Sequence, residues 1–216
     1  MNLASADFSL ASDGLYRCTA FEQSNWQQHG FGTRRANPPV DITLRQIHSA
    51  RVLNAAGLHN RECEGDALVT DEIGTSIGVR TADCVPILLL DIRRRAIAAV
   101  HAGWRGTAAE IVQHAIEKMR ADFNTAPADL YAAIGPCIRA CCYEVGPEVA
   151  EHFGVSGRSK VDLPAANRQQ LERTGISPER IFDSDLCTAC QLEQFFSYRR
   201  EPQDPGRMLA AIRRLA

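Results

Sequence analysis

Three polar side chains in this sequence stand where short apolar runs begin or end. His48 lies in LRQIHSARV, Cys84 follows RTAD just before VPILLL, and His101 closes AIAAV. The ends of buried strands are places from which a rigid framework aims side chains into a cleft. Two imidazoles and a thiolate form a tridentate set suited to zinc, with a fourth position left for water or substrate. The separations along the chain are long and no local metal motif is present. The same residues also read as hydrogen-bonded core histidines with a buried thiol, or as a Cys84 nucleophile with His48 or His101 as its base.

The stretch VHAGWRGT, from Val100 to Thr107, adds a second kind of chemistry. Gly103 and Gly106 permit close backbone approach, and Arg105 supplies positive charge. The Thr107-Ala-Ala-Glu110 pattern fits a capping box, and Ile111, Val112, Ala115, Ile116 and Met119 then recur at helical spacing. Free amides opening a helix over 107–119 would meet a phosphate or another oxyanion beside His101. The plainer reading packs Trp104 down, pairs Arg105 with a carboxylate and leaves the glycines to make the bend. Arg34 is a further anion-binding candidate, as are Arg35 beside it in FGTRR and Arg199 and Arg200 in FFSYRR.

The elements that must carry these residues are legible as apolar runs bounded by turn residues. Strands are expected over 75–82, 85–91, 96–102 and 130–135, with 92–95 joining two of them as a hairpin. Helices are expected over 107–119, over 147–153 with Pro147 in the first turn, and in PAANRQQLERT before Gly175. Pro38-Pro39 and the DPG of 204–206 mark loops. This predicts an α/β (α+β) chain with a mixed β-sheet core flanked by helices, in one domain over 1–216. The first twenty or so residues stand as an extension.

Composition narrows the function. The chain has 216 residues, 45% hydrophobic and 23% charged, with a net charge of -2. A nucleic-acid binder would show a basic stripe, whereas the clusters at 93–95 and 213–214 are short. The opening MNLASADFSLASDG has no charged n-region or continuous apolar core, and the run near VPILLL is far too short to span a bilayer. A cytoplasmic protein, either monomer or weak homodimer, acting on a small molecule is therefore expected, with no nucleic-acid or membrane partner. Eight cysteines in a reducing compartment are thiols rather than a disulfide framework. Cys187 and Cys190 form a lone CxxC, read as incidental spacing; redox activity, or a structural zinc site with Cys137, Cys141 and Cys142, are the alternatives.

The segments RQIHSARV, GDALVT, VRTADCVPILLLD, AAVHAGWRGT, AAIGPCI, CCYEVGPEV and DLCT…FFSYRREPQDPGRM resemble, in order, those of the YfiH family. That family is also called the laccase-domain or multicopper polyphenol oxidoreductase family, and its members purine nucleoside phosphorylases. The resemblance runs from HGFGTRR to the C-terminus, and TADC.P with HAGWRG and FFSYRR is a specific combination. It implies a single α/β domain with a surface pocket holding one zinc on His48, Cys84 and His101. These three are expected to be the catalytic positions too, beside the phosphate or substrate site that the residues themselves suggest at Arg34, Gly103 and Arg105. It further implies phosphorolysis of adenosine, inosine or methylthioadenosine and deamination of adenosine. Copper-dependent phenol oxidation and editing of peptidoglycan precursors are other roles attached to the family. TRRAN departs from the usual TR.GG, and Cys190 has no counterpart in the family pattern.

In deamination zinc would activate water for attack on purine C6, with Asp83, Glu64 or Asp66 as the proton carrier. A multicopper oxidase needs many histidines, and this chain has six, at 29, 48, 59, 101, 114 and 152. Copper binding in vitro is still expected of a His/His/Cys set. A non-enzymatic domain with a structural zinc is the remaining class, and it predicts that loss of His101 unfolds the chain.

Overall fold

The computed structural model describes residues 5–58, 62–203 and 206–216. In chain order the strands begin with β1 (Phe8–Leu10), β2 (Tyr16–Cys18), β3 (Gln27–Phe31), β4 (Val52–Asn54) and β5 (Ala67–Thr70). They continue with β6 (Ser76–Thr81), β7 (Val85–Asp91), β8 (Ile97–Ala102) and β9 (Leu130–Ile134). The last are β10 (Glu144–Val145), β11 (Ser159–Lys160), β12 (Ile181–Asp183) and β13 (Met208–Arg214). The helices are α1 (Thr19–Glu22), α2 (Trp104–Ala108), α3 (Ile111–Phe123), α4 (Pro147–Ala150) and α5 (Leu163–Arg173).

One sheet has the order β12-β9-β7-β8-β5-β4, and a second, all antiparallel, has the order β1-β2-β3-β13-β6. A two-stranded ribbon pairs β10 with β11. The apolar runs of β7 and β8 are continuous because both their faces are buried. Leu88, Leu90, Ile97 and Ala99 meet Ile77, Val79, Met208, Ala210 and Ile212 of the second sheet. On the other face Ile87, Leu89, Ala98 and Val100 meet Ile111, Val112, Ala115, Ile116 and Met119 of α3. Burial of each large aliphatic side chain in these layers contributes roughly 1.5–3 kcal/mol. The result is a mixed α+β fold: sheet, sheet, then helices.

The expected hairpin is present. Val85 pairs with Ala102 and Leu90 with Ile97, and the turn closes on Asp91, whose carboxylate accepts from the Arg93 and Arg94 amides. The strands expected at 75–82 and 130–135 are β6 and β9. The helix of PAANRQQLERT is α5, capped by Asp162 accepting from the Ala165 amide, with Gly175 at φ 99° just beyond it. The helix expected over 147–153 is α4 followed by a 3₁₀ turn over Glu151–Phe153. The first residues supply β1 and β2, the two strands at one edge of the second sheet. Of the loop marked at DPG, Asp204 and Pro205 lie outside the described residues.

The helix expected to start at Thr107 is corrected to two helices. Thr107 lies inside α2, where its amide donates to the Gly103 carbonyl, and its hydroxyl accepts from Asn167 Nδ2 at 2.9 Å. Glu110 takes a left-handed conformation, φ 56°, between α2 and α3, and its carboxylate pairs with Arg173. The capping box does not form because the tertiary partners Asn167 and Gln170 claim the Thr107 hydroxyl and carbonyl.

Candidate metal centre and its cleft

The β7–β8 hairpin fixes two of the three predicted ligands. Cys84 immediately precedes β7, and His101 lies in the last turn of pleat of β8, paired across to Pro86. His48 comes from the loop before β4 and holds a left-handed φ of 56°. The ligand atoms of His48, Cys84 and His101 all lie within 4.8 Å of one another. The two imidazoles meet edge to face with centroids 5.0 Å apart.

Asp66, just before β5, is what brings the hairpin and the loop together. Its fully buried carboxylate accepts from the amides of Ile47, His48 and Ser49 at 3.3, 2.9 and 2.6 Å, and from the Ser49 hydroxyl at 2.8 Å. The same carboxylate takes His101 Nδ1 at 2.9 Å. A carboxylate on one imidazole nitrogen fixes the tautomer and turns the other nitrogen to the ligand position. Burial works against the anion, but the hydrogen bonds from His101 and Ser49 prevail and hold Asp66 at about 2. Burial likewise pushes the Cys84 thiol up, and the contacts of His101 and His48 outweigh it, leaving it at about 6. Burial lowers His101, whereas Asp66 and Cys84 raise it to about 9. Two imidazoles and a thiolate are donors suited to zinc, and binding would displace the proton that Asp66 and Cys84 hold on His101.

Gly103 has an ordinary extended φ of -73°, so its role is space rather than conformation. A Cβ there would stand 3.0 Å from Cys84 Sγ and 3.1 Å from His48 Nδ1. Gly103→Ala is therefore expected to push two ligands apart and weaken metal affinity about tenfold, the lower end of the effect of disturbing ligand orientation. Competition with a chromophoric chelator measures it, and unchanged affinity would refute the role.

The triad opens into a cleft of about 650 Å³. Arg45, Arg80, Arg105, Arg199 and Arg207 line it, with Trp104, Tyr143 and Tyr198 as its aromatic surfaces. Arg105 stacks on Trp104 at 4.2 Å and, among the described residues, has no ion pair with a carboxylate. Burial raises the Tyr143 phenol to about 12, which keeps it a proton donor at neutral pH. Arg34 is not brought to this cleft: it donates to the Phe195 carbonyl, pairs with Glu201 and lies over the Phe196 ring.

Of the three carboxylates expected as proton carriers, two are fully engaged. Asp66 is bound to the ligand loop, and Asp83 accepts from Thr188 Oγ1, Ser197 Oγ and the Arg199 amide at 2.6, 3.0 and 2.7 Å. Glu64 pairs with Arg45 at 3.3 Å. Sequence reasoning missed the role of Asp66 as the common anchor. The only available signal was a carboxylate at the start of an apolar strand beside the ligand strands.

A family model described as multi-copper polyphenol oxidoreductase laccase matches residues 27–215. The chain belongs to this laccase-like family. Relatives within it include the purine nucleoside phosphorylase of Clostridium acetobutylicum, 39% identical over 78% of this chain and 75% of that one. Adenosine deaminase RL5, from an unknown prokaryotic organism, is 39% identical over 80% of this chain and 74% of its own. Among solved structures, YlmD from Geobacillus stearothermophilus superposes with a TM-score of 0.88 at 28% identity, covering 97% of this chain and 99% of that one. The Bacillus licheniformis protein YfiH gives 0.87 at 25%, covering 98% and 100%. The YfiH resemblance read from the sequence is thereby established. No helix among the described residues is long and apolar enough to cross a membrane.

Proposed function

We propose that the chain is a zinc-dependent purine nucleoside enzyme that phosphorolyses adenosine, inosine and methylthioadenosine and also deaminates adenosine. The observation that carries this reading is the convergence of His48, Cys84 and His101, anchored by Asp66, on an arginine-lined cleft. The names of the relatives support the same substrate class. When bound, zinc supplies Lewis acidity and lowers the pKa of water at its open position.

The chain's own residues do the rest. Asp66 holds His101 in one tautomer through Nδ1, and with it the orientation of the ligand. Arg105, kept in place by Trp104 and without a carboxylate partner among the described residues, offers a planar fork to phosphate beside the ribose. Trp104, Tyr143 and Tyr198 give the purine apolar faces on which to lie. Hypoxanthine is expected from inosine only when inorganic phosphate is present. Arg105→Ala should raise the KM for phosphate roughly tenfold, the loss of one charge-assisted contact of about 1.5 kcal/mol. Absence of release by metal-replete protein refutes phosphorolysis, and an unchanged phosphate KM refutes the role of Arg105.

Two other readings have a specific observation each. The family description favours copper, and a His/His/Cys set binds copper in vitro. Against phenol oxidation stands the single histidine-containing donor cluster among the described residues, His48–Cys84–His101, with His29 buried beside Phe21 and Phe31 and held at about 3 by burial. Metal analysis of protein purified without added copper separates these. The low Cys84 thiol favours a Cys-His hydrolase, which covalent trapping of Cys84 in a metal-free enzyme would support.

A further inference from the structure

Away from the cleft's metal-ligand triad, a second group of soft donors converges. The sulfurs of Cys141, Cys142, Cys187 and Cys190 all lie within 4.8 Å of one another. The Cys141 sulfur is 3.8 Å from Cys142, 3.5 Å from Cys187 and 3.6 Å from Cys190, and Cys142 is 3.3 Å from Cys190. A zinc ion bonded to four thiolates at about 2.3 Å places its sulfurs about 3.8 Å apart, at the corners of a tetrahedron. A disulfide would need about 2.05 Å, and all eight cysteines are free. Four thiols gathered this closely, four of their six separations at 3.3–3.8 Å and none bonded, are the donor set of a closed structural zinc site.

We propose that Cys141, Cys142, Cys187 and Cys190 bind a second, structural zinc ion. Binding displaces the thiol protons, so that zinc and four thiols give a zinc tetrathiolate and free protons, with no change of oxidation state. The guanidinium of Arg200, 3.8 Å from Cys142 Sγ, faces the negative charge that results. Cys137 takes no part: it is fully buried in the main core, and its backbone pairs with the 186–188 segment through the Leu186 carbonyl and the Thr188 amide.

The position of this site gives it a task. It ties the segment after β9 to the segment after β12, adding to the Cys137–Cys187 bridge, the Arg139–Asp185 ion pair and the bonds that Arg199 donates to the Cys142 and Glu144 carbonyls. The first segment carries Ile138 and Tyr143 into the cleft, and the second carries Tyr198 and Arg199. One ion thus holds two walls of the cleft in register without touching its contents.

Zinc content of the full chain, prepared under reducing conditions in zinc-containing buffer and freed of loose metal by gel filtration, tests this. Two zinc ions per chain are expected for the wild type, and one for Cys141→Ser/Cys190→Ser. Cys84→Ala, which leaves the four cysteines untouched, should also keep one. In Cys84→Ala loaded with cobalt(II), the remaining ion should show the intense thiolate-to-metal charge transfer and tetrahedral ligand-field bands of four-sulfur coordination. That readout does not depend on the double variant folding. A Cys84→Ala protein that holds no metal and gives no such spectrum overturns the proposal. So does a Cys142–Cys190 disulfide that persists under those conditions.

Discussion

Asp66→Asn is expected to lower stability by roughly 3–5 kcal/mol, the range for breaking a buried charged network by removing one partner. The carboxylate serves five donors, three of them consecutive amides of the His48 loop. An asparagine keeps one acceptor oxygen and turns an NH2 group towards the remaining N–H donors, leaving them buried and unpaired. For a chain of this length that corresponds to a fall in Tm of roughly 10 °C. Metal affinity should fall 10- to 100-fold besides, since the His101 tautomer is no longer fixed. The Asp66 pKa is depressed, so its contribution is complete above the ordinary carboxylate range near pH ~4 and fades as the pH falls towards about 2. Melting curves of metal-free wild type and variant should therefore converge in acid. Equal melting temperatures at neutral pH would show that the carboxylate does not hold the loop.

Cys84→Ala should have the opposite profile, with a large loss of activity and little loss of stability. The side chain is only partly buried, and its sulfur lies at the cleft between the two imidazoles rather than in either apolar layer. Removing one of three ligands should empty the open site. The several kcal/mol of transition-state stabilisation that a bound metal supplies then disappear, a fall of about 10³-fold in turnover. Nucleoside turnover, metal content and thermal unfolding of the same preparation check it. A folded, inactive protein agrees with an open reactive centre. A variant that unfolds would identify the His-Cys-His ion as structural, and full activity would remove the metal from the reaction.

The ligands were legible because they interrupt a strong pattern. Cys84 and His101 stand against runs so apolar that burial on both faces was the natural reading, and β7 and β8 are buried throughout. The hairpin between them followed from a four-residue gap. Asp66 was visible only as one acidic residue among several, because its importance lies in three backbone amides 17–19 residues away. Thr107 misled for a related reason: a local capping pattern was overridden by Asn167 and Gln170, some sixty residues further on. The cysteine group stood only as an alternative to incidental spacing, and with Cys137 in it, since 46 residues separate Cys141 from Cys187 and no periodicity announces a parallel bridge. Arg34 read as an anion-binding candidate because nothing local marks the carboxylate it meets, Glu201, 167 residues further on.

The unequal mounting of the three ligands sets the order in which the site comes apart. Cys84 and His101 belong to the innermost hairpin, whose amides exchange with solvent only when the whole sheet opens. His48 rides on a short loop in a left-handed conformation, tied down by a single carboxylate. The least costly excursion is therefore a local detachment of residues 47–49 from Asp66, with the rest of the fold intact. Escape of the ion to a chelator would be timed by that excursion, and hydrogen exchange at those three amides would run on the same clock.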